Sequence, residues 1–134
     1  MSGACEQRLC LKTDPFPEKE ALDALWKAAW TTSETIDFAN ILSRSLAHIC
    51  AFEEDHLIGF INIATDGGQH AFILDPCVHP ASQRKGVGTA LVKEAIVTAR
   101  SRGASWLHVD YEPHLEGFYR SCGFTSTKAG LIKL

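Results

Sequence analysis

From Val78 to Leu91 the chain reads Val-His-Pro-Ala-Ser-Gln-Arg-Lys-Gly-Val-Gly-Thr-Ala-Leu, a polar turn between an apolar strand-like run and an amphipathic helical pattern. Its chemistry is that of anion capture. Gly86 and Gly88 let backbone come close to a ligand and adopt conformations that other residues avoid. A helix starting there aims free N–H groups, and the positive end of its dipole, at whatever lies in front of it. Those are the properties of a phosphate receptor. Two common phosphate motifs do not fit. A P-loop needs Gly-x-x-x-x-Gly-Lys-Ser/Thr, and here Lys85 precedes the glycine pair. A dinucleotide fingerprint needs a third glycine where Leu91 stands, and it opens the first strand–helix unit. Here three strand-like runs come earlier.

Presenting that turn requires a sheet with helices. Arg8 to Thr13 reads as a short opening strand, broken by Asp14-Pro-Phe-Pro17, and Pro17 is well placed to begin a helix. Leu22, Leu25, Trp26 and Ala29 recur at helical spacing. Thr31-Thr-Ser-Glu34 offers capping hydroxyls for a second helix over 35–44. Strands follow at 46–53, 57–65 and 70–78. Asp66-Gly67-Gly68-Gln69 predicts a hairpin, so the last two run antiparallel. Pro76 has no N–H to give, so a bulge or missing pairing is expected there. Residues 87–102 place Val87, Leu91, Val92, Ala95 and Ala99 on one side of a helix that Gly103 stops. A strand over 106–110, a helix over 114–122 and one or two closing strands within 124–134 complete the order. The class is α/β (α+β) with a mixed sheet, in a single domain over 1–134.

Composition narrows the function classes. At 134 residues the chain can bury a core without staples. Its formal net charge of −3, with no basic run, argues against a nucleic-acid surface. The cysteines at 5, 10, 50, 77 and 122 form no Cys-x-x-Cys pair. Neither a metal site nor a disulfide framework is expected, and reduced thiols point to the cytoplasm. No run approaches the roughly 18 apolar residues of a membrane span, and no export signal is evident.

Gln83-Arg84-Lys85-Gly86-Val87-Gly88 fits the pattern Gln/Arg-x-x-Gly-x-Gly/Ala. With Val78-x-Pro80 before it and Leu91-Val92 after it, this stretch resembles the acyl-CoA motif of the GNAT superfamily of acetyl-CoA-dependent N-acetyltransferases. Phe118-Tyr119-Arg-Ser-Cys-Gly123-Phe124 resembles that family's Phe-Tyr-x-x-x-Gly-Phe segment. The two stand in the family's order, joined by a helix and a strand, and the element order agrees from end to end.

The resemblance implies a mostly antiparallel central sheet, helices on both faces, and a splayed strand pair that admits coenzyme A. The amides of Lys85, Gly86, Val87, Gly88 and Thr89 would surround its pyrophosphate, with Gln83 and Arg84 adding side-chain donors. The pantetheine arm would pair with backbone around Cys77, Val78 and His79, as an added strand does, with Phe118 and Tyr119 close by. His79 itself reads as structural, and Cys77 as a small hydrophobe rather than a nucleophile. The implied reaction is direct transfer of acetyl from acetyl-CoA to a primary amine through a tetrahedral oxyanion.

Tyr119 occupies the position of the family's general acid. A phenol, with a pKa near 10, is protonated at neutral pH and can donate to a departing thiolate of about 8.5. Asp75 aligns with an acidic position that some relatives use as a base or to position water; Glu112 and His114 are competing candidates. Relatives often place an Asn in that last segment, where this chain reads Tyr111-Glu-Pro-His114. In such a fold the acceptor lies near the first two helices, which makes Trp30 and Phe38 candidate substrate-binding residues, with Trp26 and Asp37 nearby. Trp26 reads as core by its spacing. A small-molecule amine is the leading acceptor. A protein terminus or lysine, or a non-catalytic acyl-CoA-binding module, is the alternative. The tail after Gly130 is short for the family, implying a last strand that is abbreviated or completed by a second copy in a homodimer.

Overall fold

The computed structural model describes residues 9–134. Cys5, and Arg8 at the start of the expected first strand, lie outside the described residues. Five strands, β1 (Leu9–Thr13), β2 (Ala47–Glu53), β3 (His56–Thr65), β4 (His70–Val78) and β5 (Trp106–Val109), form one sheet in chain order. The pairings are antiparallel except the last. A parallel pair needs a crossover, and α3 (Val87–Ser101) supplies it between β4 and β5.

The sheet is covered on both faces. On one side α3 buries Val87, Leu91, Val92, Ala95 and Ala99 against Ile49, Ile61, Ile63 and Ile73. This is the stripe that the periodicity marks out, and each buried Leu or Val contributes about 1.5–3 kcal/mol. On the other side α1 (Lys19–Trp30) and α2 (Phe38–Leu42) bury Leu22, Leu25, Phe38 and Leu42 against Cys50, Phe60 and Cys77. Among the described residues no helix is long and apolar enough to cross a membrane.

At Gly59 on β3, α3 lies so close that an added Cβ would come within 2.9 Å of Leu91 Cδ1 and 3.2 Å of Val87 Cγ1. Gly59→Val is therefore expected to cost about 1–3 kcal/mol of stability by overpacking. Chemical denaturation would show this as a lower midpoint with an unchanged slope.

Two expectations are corrected. The second helix covers Phe38–Leu42 rather than 35–44, because the hydroxyl-rich segment does other work. Thr31 ends α1 in a left-handed conformation (φ 50°), while Thr32 Oγ1 accepts from the Glu34 N–H at 3.1 Å. Asp37 caps α2 instead, accepting from the Asn40 N–H at 3.2 Å. The closing strands do not form: after α4 (Glu116–Ser121) no helix or strand follows. β5 has only four residues to offer a ladder, and Leu131, Ile132 and Leu134 stay exposed.

The bulge expected at Pro76 is present. Phe60 pairs with Cys77 and Asn62 with Leu74, so Ile61 alone faces both Asp75 and Pro76. Its consequence is a change of face. Before it, Ala71 and Ile73 point to α3; after it, Cys77 points to α1 and α2 while Val78 packs toward α3. Asp75 takes the strain, with φ of 55°. Asp tolerates that region better than most residues.

Candidate active site

β4 and β5 pair over four positions only, from His70–Trp106 to Ile73–Val109. Beyond Ile73 the bulge turns β4 away, and β5 ends. A cleft of about 870 Å³ opens between them, walled by Pro76, Cys77 and Val78 on one side and by Asp110, Tyr111 and Glu112 on the other. The first turn of α3 and the α4 residues Phe118 and Tyr119 also line it.

The turn into α3 carries the backbone features of an anion receptor. A single 3-10 turn, Pro80–Ser82, leads in, capped by His79, whose Nδ1 accepts from the Ala81 N–H at 3.0 Å. Two left-handed residues follow, Arg84 (φ 63°) and Gly86 (φ 84°). Gly86 is the N-cap of α3 and supplies no side-chain acceptor. The first intrahelical bond runs from the Ala90 N–H to the Gly86 carbonyl at 3.0 Å. The N–H groups of Val87, Gly88 and Thr89 thus have no partner within the helix. Space is open where a Gly86 side chain would be, and Phe118 packs 3.5 Å from a Cβ position on Gly88.

Of the residues assigned to the cofactor, Gln83, Arg84, Gly86, Gly88, Thr89, Phe118 and Tyr119 line the cleft, with Cys77 and Val78. Three stand differently. Val87 buries its side chain in the core, leaving its backbone for the turn, and the Lys85 side chain is exposed outside the cleft lining. The His79 ring is taken by its cap. The Gln83 amide donates to the Val78 carbonyl at 3.3 Å, tying the turn to the end of β4.

Tyr119 is 4% exposed, stacked on Tyr111 with centroids 4.8 Å apart and met edge-on by Phe118 and Phe124. Burial, with a lesser contribution from Cys122, raises its pKa above 10, so the phenol keeps its proton at neutral pH. Burial, then the nearby Asp75 and Cys50, pushes the Cys77 thiol up to about 12. A thiolate is the reactive form, so Cys77 is a protonated wall of the cleft.

Asp75 is half-buried at the bulge and is not part of the cleft lining, which Glu112 and His114 are. Burial raises its carboxyl pKa above 3.8. A raised carboxyl binds its proton more tightly in the folded state, so stability falls as pH rises from the unfolded value through the folded one. Asp75→Asn, which also suits a positive φ, is expected to raise the thermal midpoint at pH 7. That gain should vanish below about pH 3.9, where the acid is neutral in both states. Thermal melts across pH check this.

The two expected acceptor residues part company. Trp30, at the end of α1, is 51% exposed and lines the cleft. Phe38 does not reach it: the side chain is 5% exposed and packed edge-on between Trp26 and Phe60. It anchors α2 to the sheet, a core role its position at the start of a short helix concealed. Trp26 packs beside it, as its spacing suggests. Sequence reasoning missed Tyr111, whose stacking depends on the fold, and Leu131, a tail residue that reaches the cleft.

Comparison with known proteins agrees with this geometry. A sequence model described as "Acetyltransferase (GNAT) family" matches residues 12–124. The chain belongs to that family. It is 33% identical over 63 residues to a mycothiol acetyltransferase from Nocardia farcinica, covering 47% of this chain and 21% of that protein. Across the curated relatives it matches, the chain spans 21% to 43% of their length. Among solved structures, a GNAT family acetyltransferase from Streptococcus pneumoniae superposes with a TM-score of 0.77 at 28% identity, over 94% of this chain and 97% of that one. An aminoglycoside N-acetyltransferase solved in complex with CoA shares the fold, with a TM-score of 0.77 at 18% identity over 95% and 94% of the two chains.

Proposed function

We propose that residues 1–134 form a single acetyltransferase domain that moves an acetyl group from acetyl-CoA to the primary amine of a small molecule. One observation carries the reading: the uncapped start of α3 and the buried phenol of Tyr119 line the same cleft. The open space at Gly86, with three N–H groups unspent in the helix, fits the diphosphate of coenzyme A. Arg84 and Lys85 flank it with positive charge.

When bound, acetyl-CoA would supply an activated thioester carbonyl for the amine to attack. The end of β4, residues 77–79, offers backbone to the pantetheine arm where β5 has departed. Tyr119 holds its proton at the phenol oxygen and gives it to the departing sulfur. The ammonium form of an amine is not a nucleophile, so a proton must first leave the acceptor. Asp75 at the bulge, outside the cleft lining, and Glu112 and His114, which line it, are the candidates to take it. If Asp75 serves, the acid limb of the kcat/KM profile lies above the usual aspartate value, because burial raises its carboxyl, and disappears in Asp75→Asn. If that limb persists, Glu112 or His114 is favoured.

The small-molecule assignment is supported by the half-exposed indole of Trp30 in the cleft lining and by the acceptors named for relatives. Scattered thiols at Cys50, Cys77 and Cys122 suit a reducing, cytoplasmic setting. The test is release of free CoA from acetyl-CoA across a panel of amines. Amine-dependent release is expected. Tight cofactor binding without turnover on any amine would contradict the assignment and favour a binding module.

A further inference from the structure

Where the β4–β5 pair begins, away from the cleft, two imidazoles face each other. His70 is in register with Trp106, and Phe72 with His108. Residues two apart on a strand share a face, so His70 and His108 sit diagonally on one face, opposite the side where Ala71 and Ile73 meet α3. His70 Nδ1 and His108 Nε2 are 2.8 Å apart, and both residues are exposed. Phe72 stacks on the His108 ring with centroids 4.4 Å apart and planes 15° from parallel, which fixes the direction of that ring.

We propose that this pair is a bidentate site for a divalent transition metal of the nickel(II)–copper(II) class. Imidazole binds such metals at about 2.0 Å. Two nitrogens 2.8 Å apart then subtend about 90° at the metal, the cis angle of a tetragonal ion. Tetrahedral zinc would need them about 3.3 Å apart. In the metal-free protein one ring nitrogen donates its hydrogen to the other. Binding requires that hydrogen to move to the far nitrogen of its own ring, so that both facing nitrogens present a lone pair to the metal.

Among the described residues no third His, Cys, Asp or Glu completes a cluster, so water fills the other positions and the metal exchanges readily. The two ligands come from different strands, and a bound ion fastens β4 to β5 at the closed end of the pair whose other end opens as the cleft. Metal that binds only the folded chain stabilises it by mass action.

Nickel(II) is the suitable probe because it does not oxidise the thiols. Tag-free protein titrated with Ni2+ in a calorimeter should take up one ion at this site, with a higher thermal midpoint. Imidazole 15N resonances of His70 and His108 should be lost together to paramagnetic broadening. Either His70→Gln or His108→Gln should weaken that binding by about tenfold or more, the loss of one arm of a chelate, and remove the gain in midpoint. Amine-dependent CoA release should be unaffected by either change. Binding as tight in either variant as in the unaltered chain would overturn the proposal, as would broadening of only one of the two resonances.

Discussion

Tyr119→Phe should lower kcat by about 10²–10⁴-fold, the usual contribution of a positioned general acid, while acetyl-CoA affinity stays nearly constant. The asymmetry follows from what the substitution removes. Phenylalanine keeps the ring that stacks on Tyr111 and meets Phe118 and Phe124 edge-on, so the walls of the cleft stand. Only the hydroxyl is lost, and with it the proton that burial keeps on the phenol at neutral pH. The loss should be smaller for thioesters whose thiol is more acidic, since a better leaving group needs less protonation. Stopped-flow or steady-state kinetics beside cofactor titration separates the two constants. Turnover equal to that of the unaltered protein would exclude the phenol as the acid.

Gly86→Val should do the reverse, weakening cofactor affinity first. Gly86 sits at φ 84°, and an ordinary side chain in that region costs about 1–2 kcal/mol. No atom lies within 4 Å of the position its Cβ would take. Apart from its chain neighbours, the added side chain enters open space at the start of α3, where the cofactor diphosphate is proposed to sit. Losing one charge-assisted hydrogen bond there, about 1.5–3 kcal/mol, corresponds to roughly 10- to 100-fold in affinity. Arg84→Gly provides the contrast. It relieves a left-handed residue at φ 63°, a gain that the flexibility of glycine offsets by about 0.5–1 kcal/mol. Its denaturation midpoint should hardly move, so any loss of cofactor affinity measures the guanidinium alone.

What the sequence disclosed was what local pattern governs. The apolar spacing of α3, the Asp66–Gln69 hairpin and the missing N–H of Pro76 each leave a signature in neighbouring residues, and all three features stand in the structure. The turn at 83–89 was legible for the same reason, because a helix start with two glycines is a local object. Residues whose role depends on what the fold brings beside them were not legible. Phe38 resembles a pocket residue until Trp26 and Phe60 close around it. Gly59 looks like an indifferent strand glycine until Leu91 and Val87 press on it. Thr31 to Ser33 carry the right atoms for a helix cap, but Thr31 ends α1, Thr32 accepts from the Glu34 N–H, and the Asp37 carboxylate does the capping. The tail has apolar residues fit for a strand and no partner edge long enough to hold one. Leu131, on that irregular path, lines the cleft.

The anion-receptor role of α3 is tested most directly by backbone amide NMR of the 15N-labelled chain, titrated in parallel with coenzyme A and with pantetheine, which lacks the diphosphate. The amides of Val87, Gly88 and Thr89 should shift strongly with coenzyme A and little with pantetheine, while residues 77–79 respond to both. Equal shifts of the three α3 amides with pantetheine, or none with coenzyme A, would place the diphosphate elsewhere and contradict the assignment.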